Sequence, residues 1–112
     1  MTARLALSSL RCVRIQDTLA PDEVRIRVGG DVLVNETKMS KGDVEPLMGI
    51  ATEFEEGVQV ELQEKDGSNP GTWEDLGDAV TIGENDPAVR PITFATGGAR
   101  YELYYNVFNL PE

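Results

Sequence analysis

Along much of this chain apolar and polar side chains alternate one for one, the period of a strand that buries one face and wets the other. Three stretches show it most cleanly. Val24, Ile26 and Val28 alternate with Glu23, Arg25 and Arg27; Val58, Val60 and Leu62 with Gln59, Glu61 and Gln63; Tyr101, Leu103, Tyr105 and Val107 with Glu102, Tyr104 and Asn106. Weaker alternation marks 32–36, 50–54, 75–82 and 89–95. It also marks 4–15, where the apolar phase slips between Leu7 and Leu10 as a β-bulge would make it slip. Helical periodicity is absent, and 37–49 is the one stretch with room for a helical turn.

Turn residues punctuate these segments at Pro21, Gly29-Gly30, Lys41-Gly42-Asp43, Gly57, 65–72, 83–87 and Thr96-Gly97-Gly98. Short strands at such spacing predict an all-β fold, an eight-stranded antiparallel β-sandwich spanning residues 1–112 as a single domain. If every connection reverses the chain, as hairpins and Greek-key crossings both do, alternate connections emerge at one end. Those connections are 16–22, 37–49, 65–74 and 96–98; they carry Asp17, Asp22, Asp43, Glu45, Asp66 and Glu74, with Glu64 and Asp75 at adjoining strand ends. The intervening connections carry Glu55, Glu56, Glu84 and Asp86. One end is therefore expected to gather carboxylates.

Charge sharpens this expectation. The 112 residues include twenty acids and ten bases, a net charge of −10. Thirteen of the acids and only two of the bases fall within 41–86. Such a field repels phosphate backbones and anionic lipid. Nucleic acid is not expected as a partner, and a membrane only where calcium mediates. There is no histidine, which removes Ser-His-Asp and Cys-His catalysis, His-ligated zinc and the ordinary near-neutral proton shuttle. No enzyme is expected.

The lone cysteine, Cys12, has no partner for an internal disulfide and is expected as a packed thiol within a strand. No apolar run has the length of a spanning helix, and the N-terminus lacks a cleavage pattern, so a cytoplasmic location is expected. Asn35-Glu36-Thr37 fits the glycosylation pattern, which acts only in a eukaryotic secretory pathway.

Converging carboxylates suit calcium, which takes six to eight oxygen ligands at about 2.3–2.6 Å and tolerates irregular loops better than magnesium does. The competing explanations are local: Asp17 and Asp22 as turn formers that bond nearby backbone N–H groups, and Glu64, Asp66 and Glu74 as a solvated acidic loop. An EF-hand beginning at Asp66 fails, because its twelfth position is Gly77 where a glutamate is required. Glu64 and Asp66 make a poor catalytic pair, since residues two apart on a strand are same-side neighbours. Trp73, Tyr101, Tyr104, Tyr105 and Phe108 are expected mainly in the core and in cross-strand packing, with Trp73, inside the acidic segment, the one that could reach a partner.

Two segments resemble the C2 domain, a Greek-key β-sandwich that binds calcium in loops at one end. Residues 17–28, in which Asp17 and Asp22 flank a short turn before an alternating strand, look like its first calcium loop. Residues 60–77, with Glu64 and Asp66 at a strand end, then Glu74 and Asp75, then Leu76-Gly77, are similar to its third. The resemblance implies a C2-like Greek key of circularly shifted topology and a calcium site formed by Asp17, Asp22, Glu64, Asp66, Glu74 and Asp75. The basic strand cluster that family members use for phosphoinositides has no counterpart here. The expectation is thus a non-enzymatic calcium-binding module that presents its acidic end to a protein partner, or to a membrane through calcium. The alternative is a metal-independent structural or adaptor subunit of a larger assembly.

Overall fold

The computed structural model describes residues 2–15, 21–65, 71–85 and 91–111. These residues form ten strands and no helix: β1 (Thr2–Arg14), β2 (Asp22–Val28), β3 (Asp31–Met39), β4 (Val44–Pro46), β5 (Ala51–Glu55), β6 (Gly57–Lys65), β7 (Trp73–Asp75), β8 (Val80–Gly83), β9 (Ile92–Thr96) and β10 (Ala99–Asn109). They build two antiparallel sheets. In the first, β4 and β5 both lie along β1, β1 pairs with β10, and β10 with β9; in the second, β3 pairs with β2, β2 with β6, and β7 and β8 both lie along β6. One apolar core joins the sheets, with Leu5, Leu10, Ile26, Val60, Leu62, Phe94 and Leu103 almost wholly withdrawn from water. Each such side chain contributes about 1.5–3 kcal/mol of transfer free energy.

The alternating segments became strands with their apolar members inward, most regularly in β2, where Asp22, Val24, Ile26 and Val28 are buried and the residues between them are half-exposed. The expected slip in β1 is a register shift between Leu7 and Ser9 opposite Tyr105 and Tyr104.

Ten strands replace the expected eight. The anticipated 75–82 strand is broken: Leu76 drops into the core, Gly77 takes a φ of +78, and the chain resumes its place beside β6 only at Val80. No helical turn forms in 37–49. Instead β3 runs on to Met39, and β4 pairs with Ser9, Leu10 and Arg11. Pro46 is tolerated there because β4 lies on the sheet's edge, where a missing N–H breaks no ladder.

Antiparallel pairing fixes which ends meet. Arg14 at the end of β1 pairs with Arg100 at the start of β10, Met39 at the end of β3 with Asp22 at the start of β2, and Lys65 at the end of β6 with Trp73 at the start of β7. These ends share one pole of a body measuring 49 × 26 × 22 Å. The opposite pole holds Glu56 and Glu84, where the Glu56 N–H donates to Glu84 Oε2 at 3.3 Å and the Glu84 N–H donates to the Glu56 carbonyl at 3.0 Å. Chain direction therefore alternates across the described strands, because β4–β5 and β7–β8 each continue in one direction.

Candidate functional site

Asp22 opens β2 on the inward-facing side, in line with Val24 and Ile26, and is only 2% exposed. A carboxylate there must be hydrogen-bonded, since an unpartnered buried charge is severely penalised. Its partner is Tyr101, whose hydroxyl donates to Asp22 Oδ2 at 2.6 Å from the facing sheet. Tyr101 sits across from Cys12 in the β1–β10 ladder, which brings the buried thiol beside the same hydroxyl. Burial is the main cause that drives both groups to stay protonated: it raises the Tyr101 phenol far above its ordinary range, aided by Asp22, and raises the Cys12 thiol. The polar end of the core is thus Cys12, Tyr101 and Asp22, drawn from three strands and two sheets.

Glu64 and Glu74 lie beside this cluster along the second sheet. Val24 pairs with Glu64, and Glu64 with Glu74, so the three positions form one row across β2, β6 and β7. Glu64 is half-buried and Glu74 exposed. Like charges directly opposite one another in a ladder repel.

Asp75 belongs to the other face. It pairs with Gln63, which pairs with Arg25, and the three are bonded in series: Arg25 Nε donates to Gln63 Oε1 at 2.8 Å, and Gln63 Nε2 donates to Asp75 Oδ1 at 2.9 Å. The Arg25 guanidinium also lies 4.2 Å from the centre of the Trp73 ring. Trp73, the aromatic singled out as able to reach a partner, is a half-buried member of β7 capped by this cation. Lys65 Nζ on β6 meets Glu36 of β3 at 3.0 Å and Glu23 of β2 at 3.8 Å, and its hydrogen bond to Glu36 raises its pKa.

Asp43 and Glu45 reach the acidic pole by different means. Asp43 Oδ2 accepts the Ser40 N–H at 2.9 Å, which is turn chemistry, while its own carbonyl accepts the Cys12 N–H at 2.9 Å and ties the turn to β1. Glu45 pairs with Leu10 in β4 and is half-buried.

Asp17 and Asp66 lie outside the described residues. Of the six expected ligands, the structure therefore aligns Glu64 and Glu74, sets Asp22 deeper on the same side, and turns Asp75 to the outer face. Among the described residues no three acidic or thiol side chains group closely enough to hold a metal ion. Nor is any helix among them long and apolar enough to cross a membrane. Sequence reasoning missed Tyr101 as the partner of Asp22, and Gln63 and Arg25 as the groups that hold Asp75. The signal for the second was present, since Arg25 and Gln63 both occupy the polar phase of alternating strands.

No protein-family model matches this chain, and no curated protein matches it in sequence.

Proposed function

We propose that this protein is a non-enzymatic, C2-like binding module that takes up calcium at its acidic pole and presents that pole to a protein partner, with membrane contact only through the bound ion. The observation that carries this reading is the Glu64–Glu74 pair, two carboxylates opposed in register at the pole where Asp22 opens β2. A divalent cation between such groups replaces repulsion with attraction. Asp17 and Asp66, which lie outside the described residues, are the proposed source of the further oxygens that calcium requires. Asp75, held by Gln63 on the other face, falls outside the proposed set. A circularly shifted Greek key remains part of this reading, because calcium-binding loops one and three then leave the same end.

The test is thermal unfolding with and without millimolar calcium. A ligand that binds only the folded state at a hundredfold excess over its Kd adds about 2.7 kcal/mol, or roughly 10 °C in a domain of this size. Asp17→Asn combined with Asp66→Asn should abolish the rise while leaving the calcium-free melting temperature nearly unchanged. Equal, small shifts with calcium and magnesium would refute the proposal.

A second reading, the metal-independent adaptor or structural domain, draws on the solvent face of the first sheet, where Val44, Tyr104 and Phe108 are exposed. Contacts made there need no ion.

A further inference from the structure

The solvent face of the first sheet carries three exposed large apolar side chains, Val44, Tyr104 and Phe108, set among charged and polar ones. On β10, Tyr104 and Phe108 point away from the core, Phe108 being 53% exposed, while Tyr101 and Leu103 point inward. On the β4 edge Val44 is 56% exposed, and Pro46 is exposed beside it. The ladder registers assemble these into rows across β4, β1 and β10. Val44 is followed by Arg11 and Glu102, which form an ion pair within the chain at 3.8 Å, and Pro46 by Ser9 and Tyr104; a row of Ala6 and Asn106 comes next, and a lower row places Arg4 between Glu53 and Phe108. Large apolar groups gathered on one face mark an interaction surface.

The order within the rows says what can cover it. Two sheet faces pack about 10 Å apart with their strands nearly aligned. A two-fold axis running along the strands between β1 and β10 preserves each row and exchanges its two columns. Arg11 then faces Glu102 of the second copy, Arg4 lies over the ring of Phe108 of the second copy, and Ser9 meets Tyr104 of the second copy. Opposite charges, a cation over an aromatic ring and a hydroxyl beside a phenol are each favourable pairs. An axis across the strands would instead bring Arg11 onto Arg4. The row above, with Arg14 beside Arg100, would juxtapose like charges, and this confines the contact to the rows between Arg11 and Arg4.

We propose that a second copy of this chain docks on this face, forming a dimer with its two-fold axis parallel to β1 and β10. An isologous contact requires the same patch to complement itself, which these rows do. The dimer is independent of the calcium reading, since it uses the flat face of the other sheet and none of the proposed ligands. An anionic bilayer would also accept arginines and exposed aromatic rings, but Glu102 within the patch and the net charge of −10 oppose it.

The test is mass in solution by light scattering, without calcium, at about 100 μM, above the micromolar limit for weak interfaces of ordinary size. The wild-type chain should run near twice its 12.3 kDa. Arg11→Glu alone and Glu102→Arg alone should each be monomeric, because each places like charges across the axis as well as beside one another within its own row. An equimolar mixture of the two should form a heterodimer, because both cross-axis pairs are then opposite in sign, and this recovery also shows that both variants are folded. A monomeric wild-type chain overturns the proposal, and binding of that monomer to phosphatidylserine vesicles would assign the face to lipid. Single variants that remain dimeric, or a mixture that stays monomeric, overturn the stated geometry.

Discussion

The Tyr101 hydroxyl on β10 of one sheet donates a 2.6 Å hydrogen bond to the Asp22 carboxylate on β2 of the other, with both residues withdrawn from water. This bond ties the first residue of β2 to β10 across the core. Tyr101→Phe keeps the ring but leaves a buried carboxylate without its donor, at a cost of about 1.5–3 kcal/mol. Urea unfolding at neutral pH measures it; a loss below half a kcal/mol would show that water or another group replaces the hydroxyl.

The same bond sets an alkaline limit. Burial, reinforced by Asp22, raises the folded-state pKa of Tyr101 above its ordinary value of 10.0. The stabilisation this represents is fully present below about pH 10 and is lost above it, where the unfolded chain releases a proton that the folded chain keeps. The loss is about 1.4 kcal/mol per pH unit. Unfolding free energies measured across pH 9–11 should fall more steeply for the wild type than for Tyr101→Phe, so the two curves converge. Parallel curves would contradict the assignment.

Cys12 is completely buried, and its thiol is pushed towards the protonated form by that burial. Both features suppress reaction, since the thiolate is the nucleophile. Labelling by a thiol reagent at pH 8 should therefore follow global opening, with Tyr101→Phe labelling faster in proportion to its lost stability. Rapid, stoichiometric labelling of the native wild type would show an opening the fold does not contain.

Gly77 is where the broken strand of the second sheet touches the first. It has a φ of +78, and an added Cβ would lie 3.0 Å from the Ala95 nitrogen and 3.2 Å from its carbonyl oxygen in β9. Gly71, at φ +93, has open space instead. Gly71→Ala should cost about 1–2 kcal/mol from left-handed backbone strain alone. Gly77→Ala should cost about 1–3 kcal/mol more, because packed backbone must also move. Equal losses would mean that β9 yields easily at this edge.

Much of this fold was legible in alternation. The inward sets of β2, β6 and β10 follow directly from Val24-Ile26-Val28, Val58-Val60-Leu62 and Tyr101-Leu103, because a one-residue slip would expose each whole set. Chain direction was legible too, since it requires only that each connection reverse. What escaped was the kind of feature that depends on a distant strand. Val44–Pro46 carries a proline and no alternation, and becomes a strand only because the edge of β1 is open beside it. Leu76 read as one more residue of a continuous strand; its side chain is buried and its N–H still donates to the Leu62 carbonyl at 2.8 Å, but the ladder breaks after it, at Gly77. Asp22 read as a turn former or a metal ligand because nothing near it in sequence hinted at Tyr101, 79 residues away. Glu64 and Glu74 were legible as acids at a strand end, but their direct opposition needed the register.

The central claim is calcium at the pole shared by the ends of β2, β6 and β7. Isothermal titration of the intact chain with calcium chloride, after exhaustive chelation, measures it most directly. Saturable binding with micromolar-to-millimolar affinity, retained in excess magnesium and lost in Asp17→Asn with Asp66→Asn, is the predicted result. A flat titration, or heat that survives that double substitution unchanged, would contradict it.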